Sequence, residues 1–465
     1  MRRVRLLALL CVGSFACSGS TPTTSTDAST DGATTDASQT DAHADGDAAS
    51  DTGAPSDSAT DGFVMPEGGI VKPCTLPGSV QYTSSGTTIV PGPAGGGDDS
   101  TALAAWLHLP AGFCAHPYGN VGNTRTVKFA PNGDLFVASP TGLTTGGGPG
   151  GLAAIVILPD DNKDGYADAP ITFLSGLPNT QGMLFANDHF YFQNGTQIQR
   201  IPYTPGDRKP STTTGETVID VQVYISSLHW PKAIDMADDG TIYVANGGDQ
   251  DEVCDTTRPF HGGILKIDGT SGGAQVAKGF RNPIEVRCAH GHDKCFALEL
   301  SKDYSASVGG REKMAPIRQG DDWGFPCCAT KNLPYPGITP APDCSGTVDE
   351  SDSFLIGDTP FGLDFEAYGW PAPWSGRAIV ANHGAAGTWL GARVLAIAMD
   401  PSTGLPVSGA DVDADTSTGG MMDFATGWDD GTLKHGRPAT VSFSPDGRLF
   451  VGSDTTGMIF WIAPM

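Results

Sequence analysis

Short apolar runs joined by Asp-Gly or Asn-Gly turns recur from about residue 120 onward, and this repeat limits the folds open to the chain. The clearest copies are Thr126 to Ser139 around Pro131-Asn132-Gly133, Ala233 to Asn246 around Asp238-Asp239-Gly240, and Thr440 to Ser453 around Pro445-Asp446-Gly447. Both central positions of such turns accept positive φ, so a turn of this kind between apolar runs marks a β-hairpin. Weaker copies are Gly182 to Tyr203, Asn282 to Leu300 and Pro360 to Asp400. Hairpin-based repeats spaced roughly 50 to 80 residues apart read as blades of a β-propeller. No stretch carries the 3.6-residue apolar period of a long amphipathic helix. The predicted fold class is all-β, a six-bladed β-propeller over residues 63–465 preceded by a disordered acidic linker. The final copy reaches the C-terminal end, so ring closure is expected to borrow an N-terminal strand, Ser79 to Val90.

The first residues, Met1-Arg2-Arg3-Val4-Arg5 followed by an apolar run from Leu6 to Val12, have the layout of a secretory signal over residues 1–17. The run is too short to span a bilayer. Cys17, between Ala16 and Ser18, is read as a lipoprotein-type cleavage site, with a plain signal peptide as the alternative. Residues 18–62 are almost wholly Ser, Thr, Asp, Ala and Gly, without Lys, Arg or a large apolar side chain, and are predicted to be a disordered tether. The chain is expected to be exported: an outer-membrane or cell-surface lipoprotein, or periplasmic or secreted if Cys17 carries no lipid. Membrane contact is expected only through that anchor. A formal net charge of -25 and the lack of a basic patch argue against nucleic acid as a partner.

Beyond the leader the cysteines are Cys74, Cys114, Cys254, Cys288, Cys295, Cys327, Cys328 and Cys344. An even set in an exported chain favours disulfides. Cys288 and Cys295 flank a short loop and form the easiest pair, with a zinc site including His290 and His292 as the competing reading. The other pairings stay open.

Two segments carry polar residues next to strands. One is His229-Trp230-Pro231-Lys232, leading to Asp239 and Tyr243; the other is Gly279-Phe280-Arg281-Asn282-Pro283. An imidazole titrates near neutrality and suits a general base, and an arginine's planar fork suits carboxylate or quinone oxygens. With their spacing, these segments resemble the soluble quinoprotein sugar dehydrogenases, the glucose/sorbosone dehydrogenase group. The resemblance implies a pyrroloquinoline quinone (PQQ) site in which His229 is the base, Asp249 supports it, and Arg281 and Asn282 reach the cofactor. It places Arg437, in Gly436-Arg437-Pro438, at the first of two cofactor-binding arginines, with Ala439 at the second. His383, in Val380-Ala381-Asn382-His383-Gly384, falls nearest to the family's quinone-binding lysine, and Lys434 is a substitute for that charge.

The resemblance also implies calcium. The family's calcium-binding stretch aligns with Glu299-Leu300-Ser301-Lys302-Asp303, so Ser301 and Lys302 would contribute main-chain oxygens, although a lysine beside a dication is unfavourable unless it points away. Gly320-Asp321-Asp322-Trp323-Gly324-Phe325-Pro326 resembles a further family segment. Separately, Asp160, Asn162, Asp164 and Asp168 occupy oxygen-donor positions of an EF-hand-type loop with Gly165 at its turn, and Ile171 stands where the bidentate acid belongs. This second set is a structural calcium site or a bare acidic turn.

The expected function is PQQ-dependent oxidation of a sugar, of the aldose or sugar-aldehyde class, with electrons passing to an unidentified acceptor. The alternative is a non-catalytic, surface-anchored propeller that binds a glycan or a protein partner. A calcium-dependent hydrolase on the same scaffold would need a convergent set of oxygen donors that the sequence does not display.

Overall fold

The computed structural model describes residues 72–92, 103–141, 150–220, 229–248, 254–255, 262–268, 273–302, 311–385, 390–407, 420–432 and 434–465. The signal and tether assigned to residues 1–17 and 18–62, with Cys17, lie outside these residues, and so does Asp249. Among the described residues the chain forms a six-bladed propeller. Blades one to five use residues 126–175, 183–220, 234–278, 282–355 and 360–425, each as a four-stranded antiparallel sheet. The inner strand of each blade touches the inner strand of the next, and Pro438–Phe443 of blade six touches Thr126–Phe129 of blade one, so the ring is closed.

Blade six joins both parts of the chain. Met458–Pro464 pairs antiparallel with Phe113–Asn120, which in turn pairs with Val80–Ser85. The strand that closes the ring is therefore Phe113–Asn120, and the expectation of Ser79 to Val90 is corrected. The reason is burial: Phe113–Asn120 is buried along most of its length, whereas Thr88–Pro91 is exposed throughout. Pro117 hid this strand from a propensity reading. It sits at a register shift opposite Phe460, where the missing N–H is tolerated.

Each sheet is sandwiched between neighbours, which explains continuously apolar strands such as Ala154–Leu158. Between blades one and two, Phe136, Phe173, Phe190 and Tyr203 meet edge-on or tilted at ring separations of 5.1 to 6.4 Å. Burying each such ring contributes about 1.5–3 kcal/mol. Disulfides join Cys74 to Cys114, Cys254 to Cys327, Cys288 to Cys295 and Cys328 to Cys344. The Cys288–Cys295 pairing matches the sequence reading and removes the thiolates a zinc site there would need.

Candidate active site

In an antiparallel blade the start of the inner strand and the end of the second strand lie at the same end of the sheet. Inner strands starting at Thr126, Met183, Ile234, Asn282, Pro360 and Pro438 thus place Arg125, Gln181, Lys232, Arg281 and Arg437 on one face. Second strands ending at Asn246, Leu300, Asn382 and Ser453 bring Gly247, Ser301, His383 and Asp454 to that same face. His229, Lys232, Arg281, Asn282, Ser301, His383, Arg437, Arg125 and Asp454 are all buried there.

The two motifs singled out from the sequence meet at Gly247. A Cβ on Gly247 would stand 2.7 Å from His229 O and 3.4 Å from Asn282 Oδ1, so the backbone passes closely between the two residues. The next residue fastens both: Gly248 N donates to Arg281 O at 2.6 Å, and His229 Nδ1 lies 2.7 Å from Gly248 O. A carbonyl oxygen only accepts, so Nδ1 carries the proton and Nε2 carries the basic lone pair. Asn282 Oδ1 is buried and has no hydrogen-bond partner among the described residues. The Arg281 turn depends on Gly279, whose φ of 79° and approach to Trp323 N, 2.7 Å from an added Cβ, require glycine. The 320–326 segment holds this turn through Trp323 N to Lys278 O and Phe325 N to Gly279 O. Asp239 lies elsewhere. It sits in the hairpin turn at the opposite face and accepts from Thr241 N, so its spacing from His229 reflects the blade and not the site.

A second cluster crosses the axis. Asp454 accepts from Arg125 Nη1 at 2.7 Å on one oxygen and lies 2.9 Å from His383 Nε2 through the other. Arg125 also donates to Gln181 Oε1 at 3.1 Å, and its guanidinium carbon stands 4.7 Å from the Phe361 ring centre and 5.4 Å from that of Trp230. Phe361 stacks on His383 at 3.9 Å. Burial pushes His383 down to about 4, so it donates to Asp454 as a neutral imidazole. Burial works against ionisation of Asp454, yet His383, Arg125 and Arg437 together hold its carboxyl below the ordinary range. Arg437 donates to His383 O at 2.6 Å and Gly384 O at 2.5 Å. Burial, with Arg125 nearby, lowers it to about 9 despite Asp454. A guanidinium desolvated to this degree gains from an anionic ligand.

Lys232 is wholly buried three residues after His229, and its Nζ donates to Asn246 Oδ1 at 2.8 Å. Burial brings it down to about 7. Lys434, the expected substitute for the quinone-binding lysine, is instead exposed and pairs with Asp430 at 3.1 Å.

The stretch resembling a calcium site is furnished with ammonium groups. Lys313 Nζ lies 2.9 Å from Glu299 Oε2 and 3.2 Å from Ser301 Oγ, while Glu299 Oε1 accepts from Arg281 N at 2.9 Å. Ser301 Oγ donates to Arg311 O, and Lys302 Nζ lies 5.1 Å from the Tyr335 ring centre. These ammonium groups neutralise the Glu299 carboxylate and disfavour a dication among the side chains of this stretch. Asp160, Asn162, Asp164 and Asp168 lie after the third strand of blade one, at the opposite face. There Asp164 N donates to Asp160 Oδ1 and Asn162 Oδ1, and Asp168 Oδ2 accepts from Asp161 N. The two sets of candidate metal residues are therefore separate. Among the described residues no three His, Cys, Asp or Glu side chains form a metal-binding group.

Sequence reasoning missed Arg125, Asp454 and Lys313 as members of this face, and it gave Lys232 and Glu299 no role although both lie in the quoted motifs. Aligning the blades exposes one signal for Arg125: it precedes an inner strand just as Arg281 and Arg437 do.

A family model described as a domain of unknown function, DUF7133, matches residues 118–308. No curated protein sequence matches the chain. In fold the chain is similar to a carbohydrate-active enzyme family AA12 protein of Trichoderma reesei. The TM-score is 0.62 and the identity 17%, over 77% of this chain and 98% of that one. It is also similar to the PQQ domain of pyranose dehydrogenase from Coprinopsis cinerea, with a TM-score of 0.58 and 16% identity over 77% and 96% of the two chains. A glucose dehydrogenase matches with a TM-score of 0.54 and 13% identity over 76% and 99%. The fold is thus a six-bladed propeller similar to those of these three proteins.

Proposed function

We propose that the chain is an oxidoreductase that oxidises a sugar hydroxyl, of the aldose or sugar-aldehyde class, with PQQ as cofactor. The observation that carries this reading is the meeting of His229 and Asn282 at Gly247, beside the Arg281 turn. The buried acceptor Asn282 Oδ1 and the desolvated Arg437 suit a ligand with both donor and carboxylate groups. Arg281, Asn282 and Arg437 would hold the quinone, with His383 beside them, its carbonyl oxygen accepting from Arg437. The neighbours' names, a PQQ domain of pyranose dehydrogenase and a glucose dehydrogenase, agree with this assignment.

The quinone, when bound, supplies the two-electron acceptor for the hydride that leaves the sugar carbon. His229 Nε2 takes the hydroxyl proton, so the C–O bond becomes a carbonyl as the C–H bond breaks. Gly248 O keeps the proton on Nδ1 and thereby fixes the tautomer that can act as base. Asp249 is assigned the supporting role from its place beside Gly248. Electrons would leave to an acceptor outside the cell or in the periplasm, with the propeller tethered by residues 18–62 to a lipid on Cys17.

The test is a titration of the protein with PQQ, followed by absorbance, and then addition of a panel of aldoses. Binding followed by sugar-dependent reduction supports the assignment. Replacing His229→Gln is expected to lower turnover by about 10²- to 10⁴-fold while leaving quinone binding in place. Unchanged turnover in that variant rejects the role of His229. Failure of the quinone to bind at micromolar concentration favours the alternative, a surface-anchored propeller that binds a glycan or a protein.

A further inference from the structure

We infer that the Lys313 ammonium replaces calcium at the Glu299–Ser301 position, so this axial site takes its quinone without a divalent cation. The inference deepens the quinone reading and rests on it. Its basis is a buried ion pair, with Glu312 beside both of its charges. Glu299 and Lys313 are only 2% and 4% exposed through their side chains, and their charged atoms are 2.9 Å apart. The ammonium has a second oxygen at Ser301 Oγ, 3.2 Å away, and the Trp323 ring centre at 5.7 Å. The second oxygen of Glu299 is taken by Arg281 N, on the turn that would face the cofactor.

Three physical consequences follow from this arrangement. First, the carboxylate that would attract a dication is already neutralised by a fixed charge, and a close cation pair in a buried site is strongly repulsive. Second, Lys302 is held over Tyr335, which adds another positive group beside the same stretch. Third, Lys313 heads the strand Lys313–Pro316, whose Glu299 register partner lies on the adjacent strand, so the ammonium is placed by sheet pairing and not by a flexible loop. A charge positioned this way ties the Arg281 turn to blade four through Glu299 without metal uptake.

The experiment uses the full-length chain carrying Asp164→Asn, which disables the acidic turn on the opposite face as a source of calcium response. Quinone affinity and melting temperature are measured in excess EGTA and in millimolar calcium, with Lys313 present and with Lys313→Met. With Lys313 present, quinone affinity should differ by less than about twofold between the two conditions. The melting temperature should likewise not respond to calcium. In Lys313→Met, calcium should raise the melting temperature by at least about 2 °C, because the uncompensated Glu299 then gains a cation. Quinone binding that requires calcium while Lys313 is present overturns the inference but leaves the proposed function standing. If the quinone binds under neither condition, the proposed function falls together with the claim about the quinone, and the melting data decide only whether Lys313 stands in for calcium. A calcium-induced rise with Lys313 present rejects that substitution, and indifference supports it. If Lys313→Met does not fold, the two measurements with Lys313 present still decide.

Discussion

Asp454 receives Arg125 on one oxygen and His383 on the other, and through them one carboxylate fixes residues drawn from blades one, five and six. None of these groups can move alone without leaving a buried charge or donor unsatisfied. Glu285 presents the opposite case. It lines the axial channel with Lys128, Arg287 and Met183, and burial raises it to about 8 from an ordinary 4.5, against the pull of Arg287 and Lys128. As pH rises above the ordinary value, the unfolded chain releases this proton while the folded chain keeps it. Stability therefore falls from about pH 4.5 until about pH 8 and changes no further beyond that on account of this group. Glu285→Gln should remove that slope. Relative to the parent, the variant should gain about 1–3 kcal/mol at pH 8 and almost nothing near pH 4. Urea unfolding at the two pH values measures the difference, and an equal gain at both would contradict the assignment.

At the scale of strands, ring closure makes two proline substitutions diverge. Ala115 pairs with Ile462 on one side and Val80 on the other, so Ala115→Pro strikes a central position and should destabilise by about 3 kcal/mol or more. Ser84→Pro, in the exposed outer hairpin, should change stability by less than about 1 kcal/mol. Denaturant midpoints compare them directly, and similar losses would mean that the outer hairpin shares in closure. The hairpins themselves were legible because a turn such as Asp239-Gly240 and its flanking apolar runs are local. The closing strand was not, because Phe113–Asn120 takes its place in the ring only through Met458–Pro464, hundreds of residues away. The same division holds in the site. His229 and the Arg281-Asn282 turn could be found in short motifs, whereas Glu299 and Lys313 acquire meaning only when neighbouring strands set them side by side.

The whole molecule carries a net charge of -25, yet the proposed site concentrates guanidinium groups. Long-range repulsion should slow the approach of a tricarboxylic ligand, while short-range attraction holds it once it arrives. The association rate of PQQ is therefore expected to increase about two- to tenfold as salt rises from about 0.01 M to 0.15 M, with a smaller change in the dissociation rate. Stopped-flow measurements over that range distinguish this from a site steered by its own positive field, for which association would slow with salt.

Blade six has a further consequence for the order in which the molecule can be completed. The other five blades can each be assembled once their own stretch of chain has left the ribosome. This one needs Phe113–Asn120 to wait until Met458–Pro464, which follows all the other blades in the chain, is delivered to it. The ring thus stays unfastened until these two distant strands meet, and one antiparallel pairing then fixes the first part of the propeller to its sixth blade.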